Sequence, residues 1–402
     1  MYEDWKPKYL SDLVELRNGV NFTRAASGQA VKVVGVAHFR DREVLSDFAD
    51  VDSVILNGGI AQDDLLSEND LLFVRSNGNK ALIGRCLLIK DITEPVAFSG
   101  FTIRARITSD EVDPDFLSRV VRSPLFKQHL HREGGGSSIS NLSQKTLAEF
   151  SFLLPSLPEQ LRIVEILRAW DAALERLQAL RKANHQRSIW FRNELFSGKR
   201  RLPGFTDEWC EVRLSEVLTE HSLRSAGTEE VFSVSVHKGL VNQIEHLGRS
   251  YAASETAHYN RVLPGDVVYT KSPTGDFPLG IIKQSKIDRE VIVSPLYGVF
   301  TPATYDLGVI LDAYFESPVT VWNYLHTLVQ KGAKNTISIT NTRFLAGKLR
   351  LPLDPNEQKA IAEVVETSRR ERAAIETQIR TVAQQKQALL QKLLTGSVRA
   401  GA

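Results

Sequence analysis

Two pairs of loops carry the side chains best suited to chemistry. The first pair is Arg75-Ser76-Asn77-Gly78-Asn79-Lys80 and Lys271-Ser272-Pro273-Thr274-Gly275-Asp276, each directly after a short apolar run. Arginine offers a donor fork that fits guanine, and asparagine offers the donor and acceptor that fit adenine, so both types suit contacts to nucleobase edges. The second pair is Glu133-Gly134-Gly135-Gly136-Ser137-Ser138 and Lys331-Gly332-Ala333-Lys334-Asn335-Thr336. Glycine lets a backbone come close to a phosphate, and hydroxyls can contact it. Plain hairpin turns share this composition. The candidate contact residues are Arg75, Asn77, Asn79, Lys80, Gly134, Gly135, Ser137 and Ser138 in the first half, and Lys271, Ser272, Thr274, Lys334, Asn335 and Thr336 in the second.

Catalytic signatures are missing. No Pro-Pro dipeptide occurs, so the Asn/Asp-Pro-Pro-Tyr/Phe tetrapeptide of amino-methyltransferases is absent; Ser294-Pro295-Leu296-Tyr297 comes nearest. Gly198-Lys199 and Gly347-Lys348 are not followed by Ser or Thr, so there is no standard phosphate-cradling loop. Downstream of Pro114-Asp115, the acid-x-Lys of a nuclease core occurs only as Glu357-Gln358-Lys359, at a helix start. His129-x-His131 lacks helical ligand spacing and cysteine partners, so it reads as packed or surface histidine. The chain therefore reads as non-catalytic, with no metal site and no cofactor.

The elements that must position the loops come as a repeat. Glu3-Asp4-Trp5 with Leu10-Ser11 matches Asp207-Glu208-Trp209 with Leu214-Ser215, Asn69-Asp70 matches Gly265-Asp266, and Ser123-Pro124 matches Ser317-Pro318. Leu154-Pro155, Glu159-Gln160 and Leu195-Phe196-Ser197-Gly198 match Leu351-Pro352, Glu357-Gln358 and Leu393-Leu394-Thr395-Gly396. The shared order implies a duplicated fold that has diverged. Each half begins with short β-type runs (Val31–Val36, Leu71–Arg75, Leu82–Ile89 and Val96–Ile107 in the first) broken by Gly, Asp and Asn turns. Ser123 and Ser317 precede prolines as expected helix caps.

A long helix follows in each half. Ser156-x-x-Glu159 and Asp354-x-x-Glu357 spell capping boxes, and Gly198 and Gly396 supply left-handed stops. The apolar positions repeat as heptads: Ile163, Leu167, Trp170, Leu174, Leu177, Phe191 and Leu195 in one, and Ile361, Val365, Ile375, Ile379, Val382, Leu389 and Leu393 in the other. Polar residues interrupt both seams, so the two helices are expected to pack on each other as an antiparallel coiled coil.

Composition fits a globular chain. Its 402 residues are 42% apolar and 24% charged, enough for two or three domains. No apolar stretch is long enough to span a membrane, and the acidic start Met1–Trp5 does not read as a secretory signal. Two cysteines, Cys86 and Cys210, fit a reducing cytoplasm. Net charge is +2, but residues 156–201 carry +5 and 354–399 carry +2, leaving the globular parts acidic overall. Binding to an anion would then rest on local patches: Arg75, Lys80 and Arg85; Arg104 and Arg106; Lys271; Lys331 and Lys334. Lys199-Arg200-Arg201 could meet a phosphate or be solvated.

The arrangement resembles the specificity subunit of type I restriction-modification systems. The carrying residues are Leu154-Pro155-Ser156-Leu157-Pro158-Glu159-Gln160 and Leu351-Pro352-x-x-Pro355-x-Glu357-Gln358, with Gly265-Asp266-Val267-Val268 and the helix ends Leu195–Gly198 and Leu394–Gly396. The resemblance implies an α+β fold with two similar mixed α/β target-recognition domains separated by two long helices, a pseudo-twofold internal repeat. Its segments would be 1–155 and 199–353 for recognition, and 156–198 and 354–402 for the helical spacers. It implies binding of double-stranded DNA, each domain reading one half of a bipartite target and the helices setting the spacer. It also implies two docked methyltransferase subunits, with restriction subunits in the full complex. Asn69 stands where the family has glycine, and the second half has Gly332 where the first has Gly134-Gly135-Gly136, so the target is expected to be asymmetric. The competing expectation is a coiled-coil structural adaptor that does not touch DNA.

Overall fold

A computed structural model describes residues 5–21, 24–40, 42–56, 60–133, 141–198, 200–244, 256–331 and 337–400. The chain mixes helices and strands, an α+β fold, and divides into two compact units: Met1–Leu177 with Gln378–Ala402, and Gln178–Thr377. No helix among the described residues is long and apolar enough to cross a membrane.

The first unit is built on a five-stranded sheet in the order Val14–Asn18, Thr102–Ile107, Leu71–Val74, Cys86–Ile89, Val44–Leu45. Only the last pairing is parallel. Leu71–Val74 and Cys86–Ile89 are buried throughout, as expected of apolar runs covered on both faces. A second sheet joins Ser53–Leu56, Arg24–Val34 and Val96–Phe98. The apolar run Val96–Ile107 is thus two strands in different sheets, separated by Ser99–Phe101, and the run Leu82–Ile89 is strand only from Cys86, since Leu82 ends the 3-10 turn Lys80–Leu82. Lys6–Tyr9 pairs with Ser151–Leu154, the strand that leads into the first long helix, Leu157–Phe196.

The second unit repeats this plan. Its main sheet runs Leu218–Glu220, Gly298–Pro302, Val267–Tyr269, Ile282–Gln284, all antiparallel. Cys210–Arg213 pairs with Lys348–Leu351, ahead of the second long helix, Pro355–Leu394. Ser317 caps its helix through Thr320 N, whereas Ser123 Oγ is buried without a partner among the described residues. The expected cap at Ser123 is absent, although Pro124 does open a helix there.

The same turn marks the start of the central strand in both units. Asn69 and Gly265 adopt φ of 68° and 87°, the left-handed region that asparagine tolerates better than most side chains. The following aspartates, Asp70 and Asp266, are 1% exposed and accept backbone hydrogen bonds from Ser67 and Leu263, both at 2.7 Å. Their remaining partners differ. Arg106 forms a two-nitrogen fork on Asp70 at 3.1 and 2.9 Å, while His221 (2.8 Å) and Thr301 (2.7 Å) serve Asp266.

Both long helices stop at glycines with φ of 69°, Gly198 and Gly396. Their starts depart from the sequence expectation. Neither Glu159 nor Glu357 reaches back to close a capping box. Glu159 instead accepts from Trp5 Nε1 (3.0 Å) and from Arg399 Nε and NH2 (2.6 and 2.9 Å). Glu357 accepts from Trp209 Nε1 (3.2 Å) and from Arg201 Nε and NH2 (2.7 and 2.6 Å). A charged fork outcompetes a neutral backbone N–H for the same carboxylate. The neighbouring glutamines are also tied in. Gln160 Oε1 accepts from Asp113 N and its Nε2 donates to Pro155 O; Gln358 Oε1 accepts from Thr304 Oγ1 and its Nε2 donates to Pro352 O.

Within each unit, turns of the two long helices meet. In the first unit Ile163 and Leu167 share a core with Leu390, Leu393 and Leu394, while Asp171 pairs with Lys386. In the second, Asn184 and Arg187 both meet Glu371, and Arg372 donates to Ser188 Oγ. Among the expected seam positions, Ile163, Leu167, Leu195, Ile361, Ile375 and Leu393 are buried, and Trp170, Leu174, Leu177, Phe191, Val365, Ile379, Val382 and Leu389 are half-buried.

Candidate nucleic-acid interface

In the first unit the loop after Leu71–Val74 is held by its backbone. Across the hairpin Gly84 N donates to Val74 O and Val74 N donates to Arg85 O, Arg75 N donates to Phe101 O, and Leu142 N donates to Arg75 O. The Arg75 guanidinium carries no hydrogen bond to another described residue and is half-buried. Asn77 Oδ1 accepts from Asn79 N at 2.8 Å, and Asn79 Oδ1 accepts from Ala81 N at 3.1 Å. These two acceptors build the turn itself, the local role that asparagine commonly takes. Lys80 is exposed at the start of the 3-10 turn.

This loop borders two adjoining clefts. One, of about 440 Å³, is lined by Val36, Ala37, Arg40, Asn77, Asn79, Leu82 and Arg85. The other, of about 610 Å³, holds Arg40, Arg42, Lys80, Arg85, Arg122, Lys127 and His131, against one carboxylate, Glu43. Arg85 braces the wall by donating to Arg40 O at 2.6 Å. Arg42 and Arg122 are partly neutralised by Asp50 and Glu43. Arg40, Lys80 and Lys127 have no carboxylate partner among the described residues, so their charge faces solvent. A cleft with low-dielectric walls and excess positive charge concentrates anions.

The second unit answers with a different loop. Lys271 takes φ of 58° and is half-buried; burial pulls its ammonium below the usual lysine range, partly offset by Glu220. Gly280 packs against it so closely that an added Cβ would lie 2.8 Å from Lys271 N. Ser272 to Asp276 are exposed, and Thr274 and Phe277 close the turn with reciprocal backbone bonds of 3.0 and 2.9 Å. Ser272 Oγ and Thr274 Oγ1 turn back to carbonyls at 3.4 Å. Gly134, Gly135, Ser137, Ser138, Lys334, Asn335 and Thr336 lie outside the described residues.

Four arginines serve other contacts than the sequence suggests. Arg104 is 1% exposed, donates to the carbonyls of Asp63 and Leu65, and lies over the Phe98 ring; Arg106 serves Asp70. Both are internal braces, because a guanidinium can satisfy several buried acceptors at once. Arg201 belongs to the Glu357 contact and Arg200 pairs with Glu194, so neither is a free phosphate contact; Lys199 lies outside the described residues. His129 Nε2 donates to Thr146 O and the ring stacks with Phe126, a packed histidine. Arg40 and Lys127 escaped sequence reasoning, since nothing local marks either as facing a cleft. The Trp–Glu–Arg contacts had left a signal: Glu159 and Arg201 recur 198 residues later as Glu357 and Arg399, beside the matched Trp5 and Trp209.

Comparison with known proteins matches this geometry. Residues 2–184 match the family model for the type I restriction modification DNA specificity domain. The chain is 26% identical over 153 residues to the StySPI specificity subunit of Salmonella potsdam, and 28% identical over 161 residues to the EcoKI specificity subunit of Escherichia coli K12. Those stretches cover 38% and 40% of this chain and span only about a third of the relatives, 33% and 34%. Over nearly its whole length, the chain shares its fold with solved structures. The S subunit of a type I system from M. genitalium aligns with a TM-score of 0.53 at 14% identity, covering 97% of this chain and 96% of that one. The HsdS subunit of Thermoanaerobacter tengcongensis aligns at 0.52 and 16%, covering 99% and 98%. A chain solved in a study of type I assembly aligns at 0.60 and 15%, covering 98% and 99%. Residues 2–184 thus match the type I restriction modification DNA specificity domain, and nearly the whole chain shares the fold of solved type I S subunits.

Proposed function

We propose that this chain is the non-catalytic DNA-recognition subunit of a type I restriction-modification complex. Each unit reads one half of a bipartite, asymmetric target in double-stranded DNA. The long helices form an antiparallel coiled coil that sets the unread spacer and docks two methyltransferase subunits; restriction subunits complete the nuclease. One observation supports the reading: each unit has a mainly antiparallel central sheet and a strand pair that leads into a long helix, with unlike loops at the strand ends. A duplicated scaffold with divergent loops is what two half-sites of different sequence require. In the first unit Arg40, Lys80 and Lys127 supply phosphate attraction, and Arg75 is placed for a base edge. In the second, Lys271, Ser272 and Thr274 take the equivalent positions. The glycine- and serine-bearing loops at Gly134, Gly135, Ser137 and Ser138, and at Lys334, Asn335 and Thr336, complete the reading surface.

Co-expression with its methyltransferase partner, followed by mapping of modified bases, tests this directly. The expected product is one bipartite motif with unlike halves and a fixed gap. Stable assembly without any new mark would favour the structural adaptor.

A further inference from the structure

We infer that the two Trp–Glu–Arg contacts are positioning clamps that set the angle of each reader on its helix, and thereby the tolerance for spacer length. The inference rests on the DNA-reading proposal for its functional consequence, but not for its mechanics.

The observations come in duplicate. In the first unit Trp5 stands just before the strand Lys6–Tyr9, which pairs with the strand entering the first long helix. Glu159 is in the first turn of that helix. Arg399 lies three residues beyond Gly396, after the second long helix has ended, and its guanidinium covers the Trp5 ring at 5.9 Å. In the second unit Trp209, Glu357 and Arg201 repeat every part, with Arg201 three residues beyond Gly198 and 5.7 Å from the Trp209 ring. Each clamp therefore joins a reader strand, the start of one helix and the segment after the other. Local helix chemistry does not require this: a capping glutamate would do its work without Trp or Arg.

Directional bonds explain why such a joint would hold an angle. The carboxylate receives a parallel two-nitrogen fork, fixed in plane by the guanidinium, and a third bond from an indole that cannot rotate without losing its packing. Both tryptophans are about 5% exposed, and the carboxylates of Glu159 and Glu357 are 11% and 3% exposed. Gln160 and Gln358 add a second fixed point by tying the same helix turn to the caps of the helices at Pro114–Val120 and Tyr305–Tyr314. Two points of attachment define an orientation where one would leave a swivel. Arg399 and Arg201 are positioning residues, acting through the glutamate and tryptophan they hold.

Two readouts separate this from a general loss of stability. In a Cys210→Ser background, spin labels at Lys145→Cys and Val319→Cys, both strongly exposed sites, report the distance distribution between the units. Arg201→Ala and Arg399→Ala should each broaden it, and Arg201→Lys, which keeps charge but loses the fork, should fall between. Trp5→Phe and Trp209→Phe keep the packing, lose one bond, and serve if an arginine variant fails to fold. In the methyltransferase complex, the preference for the natural gap over one lengthened by a base pair should drop about tenfold, equivalent to ~1.4 kcal/mol. Unchanged distance distributions in the folded variants overturn the clamp. Broadened distributions with an unaltered gap preference overturn its functional role. Broadened distributions in a protein whose wild-type complex marks no bipartite site leave the clamp standing and reject the DNA-reading proposal instead.

Discussion

The two units perform one structural task with the same residues and another with different ones. Glu159 and Glu357 are held by tryptophan and arginine in both. The buried Asp70 and Asp266 cap the same turn, yet one is neutralised by Arg106 and the other is served by His221 and Thr301. Farther out, the first loop borders a cationic cleft while the second buries its lysine. Divergence thus grows from the helix joint toward the strand ends. A bidentate fork with an indole bond demands three residue types at once, whereas a turn-capping carboxylate accepts any donor of suitable reach. Exposed loops are bound by neither constraint.

The largest expected difference lies at the clamps. Glu357→Ala leaves Arg201 unpaired, with only 19% of its side chain exposed, and should destabilise the second unit by about 3–5 kcal/mol. Glu159→Ala removes one carboxylate from Arg399, which is 40% exposed and can hydrate at that side, so the first unit should lose only about 1–2 kcal/mol. Calorimetric unfolding of both variants checks the order; equal losses would mean that burial does not distinguish the joints.

Next come the aspartates. Asp70→Asn should cost its unit about 1.5–3 kcal/mol, because Arg106 loses a charged acceptor. Asp266→Asn should cost less, since an imidazole and a hydroxyl can still bond an amide. Urea titration decides it, and a loss for Asp266→Asn equal to or larger than that for Asp70→Asn would contradict this order.

Acid should expose a further contrast within the helix contacts. Burial raises the Asp171 carboxyl, but hydrogen bonds from Lys386 and Arg119 outweigh it and hold the group below its ordinary range. A depressed carboxyl contributes stability above its unfolded pKa and loses it as pH falls through the folded one. Asp171→Asn should therefore cost stability at neutral pH and very little once both states are protonated. Melting curves from pH 7 downward that stay parallel would refute this linkage.

The smallest effects concern DNA affinity. Lys80→Ala and Lys127→Ala should each weaken binding across sequences and reduce the salt slope by about one phosphate contact. Lys271→Ala, already half-buried, should change the slope less. Titration of the assembled complex at several salt concentrations would show whether the first unit in fact carries more of the phosphate attraction.

Much of the architecture was readable because it is periodic or local. Gly198 and Gly396 marked the left-handed stops of the long helices. The matched Asn69-Asp70 and Gly265-Asp266 turns were visible because only a few residue types accept positive φ. What failed were local rules overruled from far away. Ser156-x-x-Glu159 spells a capping box, but its glutamate is taken by Arg399, 240 residues on. Arg104 and Arg106 read as a surface patch because charge in a sequence carries no sign of burial; the buried carbonyls and Asp70 claim them. Arg40 and Lys127 reach the cleft through the packing of separate elements, which no spacing encodes.

The central claim is that paired helices fix the gap between two DNA readers. Deleting four facing residues from each long helix would shorten the pair by about 6 Å, near two base-pair steps of about 3.4 Å. Mapping of modified bases for that variant, co-expressed with its methyltransferase, should show the same two half-sites with a gap about two base pairs shorter. The same half-sites at the original gap would contradict the account.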